Sequence, residues 1–192
     1  MTVLDKGARP AQDAGDTVVW VEGAKGPLKP TRAIVTMRGK EFRPRVVAVA
    51  VGDTVEFPNQ DPILHNAFSV SGENRFDLDL YRRPKTGART FRHPGIVRVY
   101  CNIHPQMAAV VVVRDNPYFA QASPDVSFSI EDVPAGRYAL KAWHPRAGEV
   151  GRALGVPAEG SVRVDLDLDA AGFRRAPHRN KYGRDYGAGD RY

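Results

Sequence analysis

One cysteine in 192 residues is too few for an internal disulfide, a Cys₄ iron–sulfur site, a cysteine-rich zinc ribbon or a copper pair bridged by two thiolates. No apolar run approaches the roughly 20 residues that span a bilayer, and the opening M-T-V-L-D-K-G-A-R-P lacks the apolar centre of a signal peptide. Phosphate-binding glycine loops and internal repeats are missing too. Histidine is sparse, five in all, and so is any strong charge imbalance away from the C-terminus. Of the net +6, residues 173–192 carry +4, with six Arg/Lys against two Asp, so the rest of the chain is nearly balanced. No nucleic-acid fold signature accompanies that basic tail, which reads as solvated polypeptide rather than a nucleic-acid arm.

What the chain does have is β-branched runs separated by 15 prolines and 18 glycines, the composition of an all-β protein rich in turns. Strand signals fall at 17–22, 33–37, 46–51, 54–57, 90–92, 96–101 and 108–113. Gly52-Asp53 divides two of them with a short-turn signal. Residues 71–89 read as a long surface excursion in which Arg82, Arg83 and Lys85 make a basic spot able to steer an acidic partner. After Arg114 the pattern changes: V-S-F-S-I, R-Y-A-L-K-A-W and S-V-R-V-D-L-D-L alternate apolar and polar residues, as half-buried antiparallel strands do.

The chemistry concentrates between Val97 and Val113. Val97, Val99 and Cys101 share parity, so a strand would point all three to one face. Ala108–Val113 is an unbroken apolar run suited to a strand buried on both faces. The loop between them holds Cys101, His104 and Met107 at steps of three. Thiolate, imidazole and thioether together suit copper. A blue-copper site needs two His, a Cys and a weak axial Met, and His65 is the best candidate for the second imidazole. Binding requires an ionised thiol and neutral imidazoles, so affinity is expected to fall in acid. His93 reads as a turn residue, His144 as a partly buried polar residue, and His178 suggests nothing specific.

The run F-R-P-R-V-V-A-V-A-V-G-D-T-V-E-F-P-N-Q-D, then H-N, then C-N-I-H-P-Q-M resembles the cupredoxins, in particular the plastocyanin and amicyanin branch, from about Thr31 to Arg114. The resemblance implies a Greek-key β-sandwich, one copper ion cycling between Cu(II) and Cu(I), and His65, Cys101, His104 and Met107 as its ligands. It also implies that Asn66 ties the two ligand loops together. His104, in an exposed loop, would be the electron port at which redox partner proteins dock transiently. A periplasmic or otherwise extracytoplasmic location follows from the same likeness. Phe128, Pro134-Ala135-Gly136 and Tyr138 resemble the carboxypeptidase regulatory-like, transthyretin-like β modules, whose first strand residues 17–23 would supply.

The resulting organisation is a flexible N-terminus at 1–16, a strand segment at 17–30 shared with the second module, and a cupredoxin domain at 31–114. A small antiparallel β module at 115–169 and a basic, disordered tail at 170–192 follow. The function expected is one-electron transfer without enzyme activity; the alternative is copper buffering, delivery or resistance through the same site. A nitrite-reductase- or oxidase-type enzyme needs further histidine-built copper centres, which five scattered histidines cannot supply. A sandwich that binds no metal is the remaining reading.

Overall fold

The computed structural model describes residues 1–174 and 178–186. The protein is all-β, with two short 3₁₀ turns among the described residues, and it divides into two compact units. One comprises residues 28–115 with 178–186, the other residues 1–27 with 116–174.

In the first unit a five-stranded sheet runs in the order Phe76–Asp77, Phe68–Ser69, Gly95–Tyr100, Ala108–Arg114, Val46–Ala50. Its last pair is parallel, with Val110 opposite Val46, and the others are antiparallel. A three-stranded sheet runs Thr86–Thr90, Thr54–Pro58, Arg32–Ile34. Val49, Val97, Val99, Val111 and Val113 from the first sheet share one core with Val55 and Phe57 from the second. The expected parity holds: Val97, Val99 and Cys101 are buried while Arg98 is exposed.

The turn at Gly52-Asp53 does not make a hairpin. Val46–Ala50 and Thr54–Pro58 lie in different sheets, so the turn carries the chain across the core. Gly52 takes φ +97°, a conformation that favours glycine. Asp53, 3% exposed, accepts the Ala50 N–H at 2.7 Å and the Thr31 N–H at 2.5 Å, clamping the crossing on both sides. Residues 71–89 are also more than an excursion. Thr86–Thr90 pairs along its length with Thr54–Pro58, and Phe76–Asp77 pairs with Phe68–Ser69. T-G-A-R-T carries no apolar alternation because it packs through backbone. A side chain at Gly87 would meet the Tyr81 hydroxyl at 2.9 Å, and that hydroxyl donates to the Phe57 carbonyl at 2.6 Å.

In the second unit a four-stranded sheet runs Phe119–Gln121, Val18–Glu22, Gly136–His144, Gly148–Val156. Val18, Val19, Trp20 and Val21 are each at most 1% exposed. The strand Gly148–Val156 escapes a reading by alternation because glycines break its pattern; a Cβ at Gly151 would fall 2.6 Å from the Lys141 chain. Conversely, V-S-F-S-I forms no ladder. Its alternation is real, with Val126, Phe128 and Ile130 half-buried against the core, but this segment packs without strand pairing. Of S-V-R-V-D-L-D-L only the last two residues are strand, in Asp167–Asp169.

Residues 1–16, expected to be flexible, instead contain the strand Thr2–Asp5, parallel to Asp167–Asp169. Val3, 1% exposed, anchors it in the core, and one buried β-branched residue amid polar neighbours is too weak a signal to read in advance.

Polar contacts close this unit near its turn. The Arg146 guanidinium meets Asp13 twice, at 2.8 and 2.5 Å, and Asp5 at 2.9 Å. His144, read as partly buried, is fully so; its Nε2–H donates to the Asp13 carbonyl at 3.1 Å and its Nδ1 accepts the Arg146 N–H at 3.3 Å. The Arg146 hydrogen bonds hold the Asp13 carboxyl below the usual carboxylate range, against the opposing effect of burial. A depressed folded-state pKa means that this stabilisation is complete above the ordinary value near 4 and is lost as pH falls through the lower folded one. Asp13→Asn should therefore lower the melting temperature at pH 7 by roughly 4–8 °C, about 1 kcal/mol after solvent screening, and flatten the acid limb of a melting-temperature profile. An unchanged acid limb would show that the Arg146–Asp13 pair contributes nothing.

Candidate metal centre

Two segments converge at one end of the first unit. Strand Gly95–Tyr100 delivers Cys101, and the chain turns back within six residues to start Ala108–Arg114. The Cys101 N–H donates to the Met107 carbonyl at 3.3 Å and the Met107 N–H to the His104 carbonyl at 2.9 Å, so the loop closes on itself. Pro105 and the bonded Asn102 leave no room for helix. His65 arrives from the other side, held by paired backbone bonds to Tyr81 at 3.2 and 2.9 Å. Asn59 supports this bridge, its side-chain amide donating to the carbonyls of Ile63 and Tyr81, both at 2.9 Å.

The side chains meet closely. His65 Nδ1 lies 3.0 Å from His104 Nδ1, and Cys101 Sγ lies 4.0 and 3.6 Å from the same two nitrogens. All three residues are buried. Met107, 0% exposed, belongs to the core cluster that includes Cys101. Among the described residues this is the one group of three or more His, Cys, Asp or Glu side chains able to share an ion. His93, 46% exposed and 3.5 Å from Glu73, and His144 stand apart from it.

Asp61 was not singled out by sequence reasoning. Its Oδ2 lies 2.8 Å from His65 Nε2, while its two oxygens accept the N–H groups of Gly39 at 2.8 Å and Lys40 at 2.9 Å. A carboxylate on Nε2 keeps the proton there and leaves the Nδ1 lone pair aimed at Cys101 and His104. Burial opposes the charge on Asp61, but those two N–H groups and His65 outweigh it, so its pKa falls below the usual range. The signal that could have found it was the Asp-x-x-x-His spacing.

Asn66 joins the two segments: its Oδ1 accepts the Asn102 N–H at 2.7 Å. Burial pushes the Cys101 thiol up, with the backbone N–H groups of Asn66, Ile103 and His104 acting the other way. Burial, then the neighbouring His65 and Lys40, pushes His104 down and keeps that imidazole neutral.

This donor set fits one copper ion. Metal–nitrogen bonds of ~2.0–2.1 Å and a metal–sulfur bond of ~2.3 Å place such ligand atoms about 3.3–3.8 Å apart, within a few tenths of the separations seen here. The soft thiolate, two imidazoles and a buried thioether in the same loop select copper over hard cations. One expectation fails: His104 is only 6% exposed, so its ring is not an open edge. Arg82, Arg83 and Lys85 are exposed as read, with the Lys85 ammonium 6.0 Å from the centre of the Tyr81 ring.

The fold and site thus define an all-β protein with a buried His, Cys, His cluster suited to copper. The sequence matches no protein-family model and no curated protein. Among solved structures the chain is similar to a purple cupredoxin from Nitrosopumilus maritimus, at 22% identity over 42% of this chain and 98% of that one, TM-score 0.39. It is similar also to a copper-containing nitrite reductase, NirK, from Thermus scotoductus SA-01, at 27% identity, 59% and 28% coverage and TM-score 0.43, so it spans under a third of that enzyme. A mutant of amicyanin in its Cu(I) form matches at 21% identity, 50% and 98% coverage and TM-score 0.41.

Proposed function

We propose that the protein is a type 1 copper protein that carries single electrons, with His65, Cys101, His104 and Met107 as ligands and Asn66 as the tie between their loops. The observation that carries this reading is the convergence of three soft or borderline donors, all on buried residues, within 4.8 Å of one another. Copper bound there supplies a one-electron couple. The chain's own contribution is to hold the donors in place, so that little reorganisation accompanies a change of oxidation state. Asp61 and Asn66 orient His65 and the Cys101 loop, and burial excludes water.

A redox partner would dock transiently near the His104 loop, with the Arg82, Arg83 and Lys85 spot favouring an acidic one. The reading as carrier rather than enzyme is supported by the histidine placement, since the three left over, His93, His144 and His178, join no second cluster among the described residues. An extracytoplasmic setting, where copper is available, fits this role; among the described residues no helix is long and apolar enough to cross a membrane. The unit formed by residues 1–27 and 116–174 we read as a carboxypeptidase regulatory-like β module. The alternative function is copper handling through the same four side chains.

Titrating the copper-loaded protein with reductant and oxidant discriminates the two. A blue band that bleaches and returns reversibly is the expected result; Cu(I) binding with no blue form would favour handling. Asp61→Ala should weaken Cu(II) binding about 10–100-fold in a competition titration, because the freed His65 ring loses its fixed tautomer. An unchanged affinity would remove Asp61 from the site.

A further inference from the structure

The tail, assigned to solvent from composition, contains a folded turn. Asn180 Oδ1 accepts the N–H groups of Tyr182 and Arg184, each at 3.0 Å, and the Asn180 N–H donates to the Arg184 carbonyl at 2.8 Å. Gly183, at φ +75°, completes it. Parts of the tail at 175–177 and 187–192 lie outside the described residues.

This turn closes a ring of hydrogen bonds on the metal loop. Asn66 Oδ1 takes the Asn102 N–H at 2.7 Å; Asn102 Oδ1 takes the Lys181 N–H at 3.0 Å. The Lys181 ammonium sits on Asp77 Oδ2 at 2.6 Å, and Asp77 Oδ1 accepts from the Asn66 amide at 3.1 Å. Asn66 follows His65 and Asn102 follows Cys101, so the ring joins the neighbours of two donors, and residue 181 is one of its corners. On either side are two further anchors. The His178 ring stacks on Tyr100 at 3.9 Å and 16°, with its Nε2–H donating to the Pro105 carbonyl at 2.7 Å. The Tyr186 hydroxyl donates to the Cys101 carbonyl at 3.3 Å. The segment therefore grips residues 100, 101, 102 and 105, which begin and span the loop bearing three of the four donors.

We propose that residues 178–186 form a strap that positions the 101–107 loop and limits metal exchange through it, with His178, Lys181 and Tyr186 as positioning residues. The proposal rests on the copper reading for what exchanges. Its mechanical content does not. Release of an ion held by Cys101, His104 and Met107 requires the loop to lift, and the hydrogen bonds to Cys101, Asn102 and Pro105 must break with it.

Hydrogen exchange on the metal-free full chain, followed by mass spectrometry, tests the strap. In the His178→Ala, Lys181→Ala double variant, peptides covering 101–107 should exchange about tenfold faster, while those covering 46–50 and 108–114 stay as in the wild type. His178→Phe keeps a ring on Tyr100 and should restore most of the protection that His178→Ala alone loses. In the copper-loaded double variant, transfer of copper to a competing chelator should also quicken about tenfold with the visible band unmoved. Unchanged exchange across 101–107 overturns the strap, and a Phe variant behaving like Ala overturns the stacking anchor. A wild type that takes up no Cu(II) sinks the copper reading instead, and the metal-free exchange then decides the strap by itself.

Discussion

Cys101→Ser should yield a folded, colourless protein whose Cu(II) affinity is reduced on the order of a hundredfold or more, beyond the 10–100-fold typical of losing an outer partner. Sulfur supplies both the soft donor that selects copper and the charge-transfer partner that gives a type 1 site its colour. A serine hydroxyl does not ionise near neutral pH, so the site would keep two imidazoles and a thioether and lose its one anion. Folding should survive. The side chain at 101 is completely buried, so an unpaired hydroxyl there adds a cost of about 1–3 kcal/mol. Visible absorption, metal content after dialysis and a melt of the metal-free protein check the three parts. A serine variant as blue as its parent would dispose of the copper assignment.

Deletion of residues 1–24 should abolish cooperative unfolding of the unit that contains residues 116–174. The deletion removes Val18–Glu22, an interior strand flanked by Phe119–Gln121 and Gly136–His144. Val3, Val18, Val19, Trp20 and Val21 go with it, all at most 1% exposed. At about 1.5–3 kcal/mol for each large apolar side chain buried, the loss is comparable to the whole stability of a domain. Two strands would also be left with unpaired edges, an invitation to aggregate. Hydrogen exchange across 136–156 measures the outcome. Retained protection there would mean that the C-terminal segment folds without the N-terminal strand and would sink the two-ended arrangement.

Local chemistry made much of the site legible. Cys101, His104 and Met107 lie within seven residues, so any strand–loop–strand reading must bring them near one another. His65 required more, namely the likeness of His-Asn after a strand pair to a known pattern. Asp61 was missed because the Asp-x-x-x-His spacing of D-P-I-L-H, its one trace in the sequence, does not by itself say that the carboxylate turns back onto a ring nitrogen. His178, Lys181 and Tyr186 were missed for a different reason. A basic, aliphatic-poor stretch has the composition of a disordered chain, and its order derives from partners at residues 77, 100, 101, 102 and 105 that are distant in sequence.

What the amino-acid order determined by itself is periodic or close-range: the all-β class, the parity that buries Val97, Val99 and Cys101, and the clustering of three donor types in one loop. Alternation and turn residues act over a few positions, so a chain carries them openly. Tertiary structure alone decided the rest. It sent the two strands around Gly52-Asp53 into different sheets, paired T-G-A-R-T through its backbone, set Asp61 on His65, buried His104 and bonded residues 178–186 to the 101–107 loop. Those outcomes depend on which distant groups can satisfy buried N–H, C=O and charged atoms once the core has closed, and such satisfaction leaves no period along the sequence.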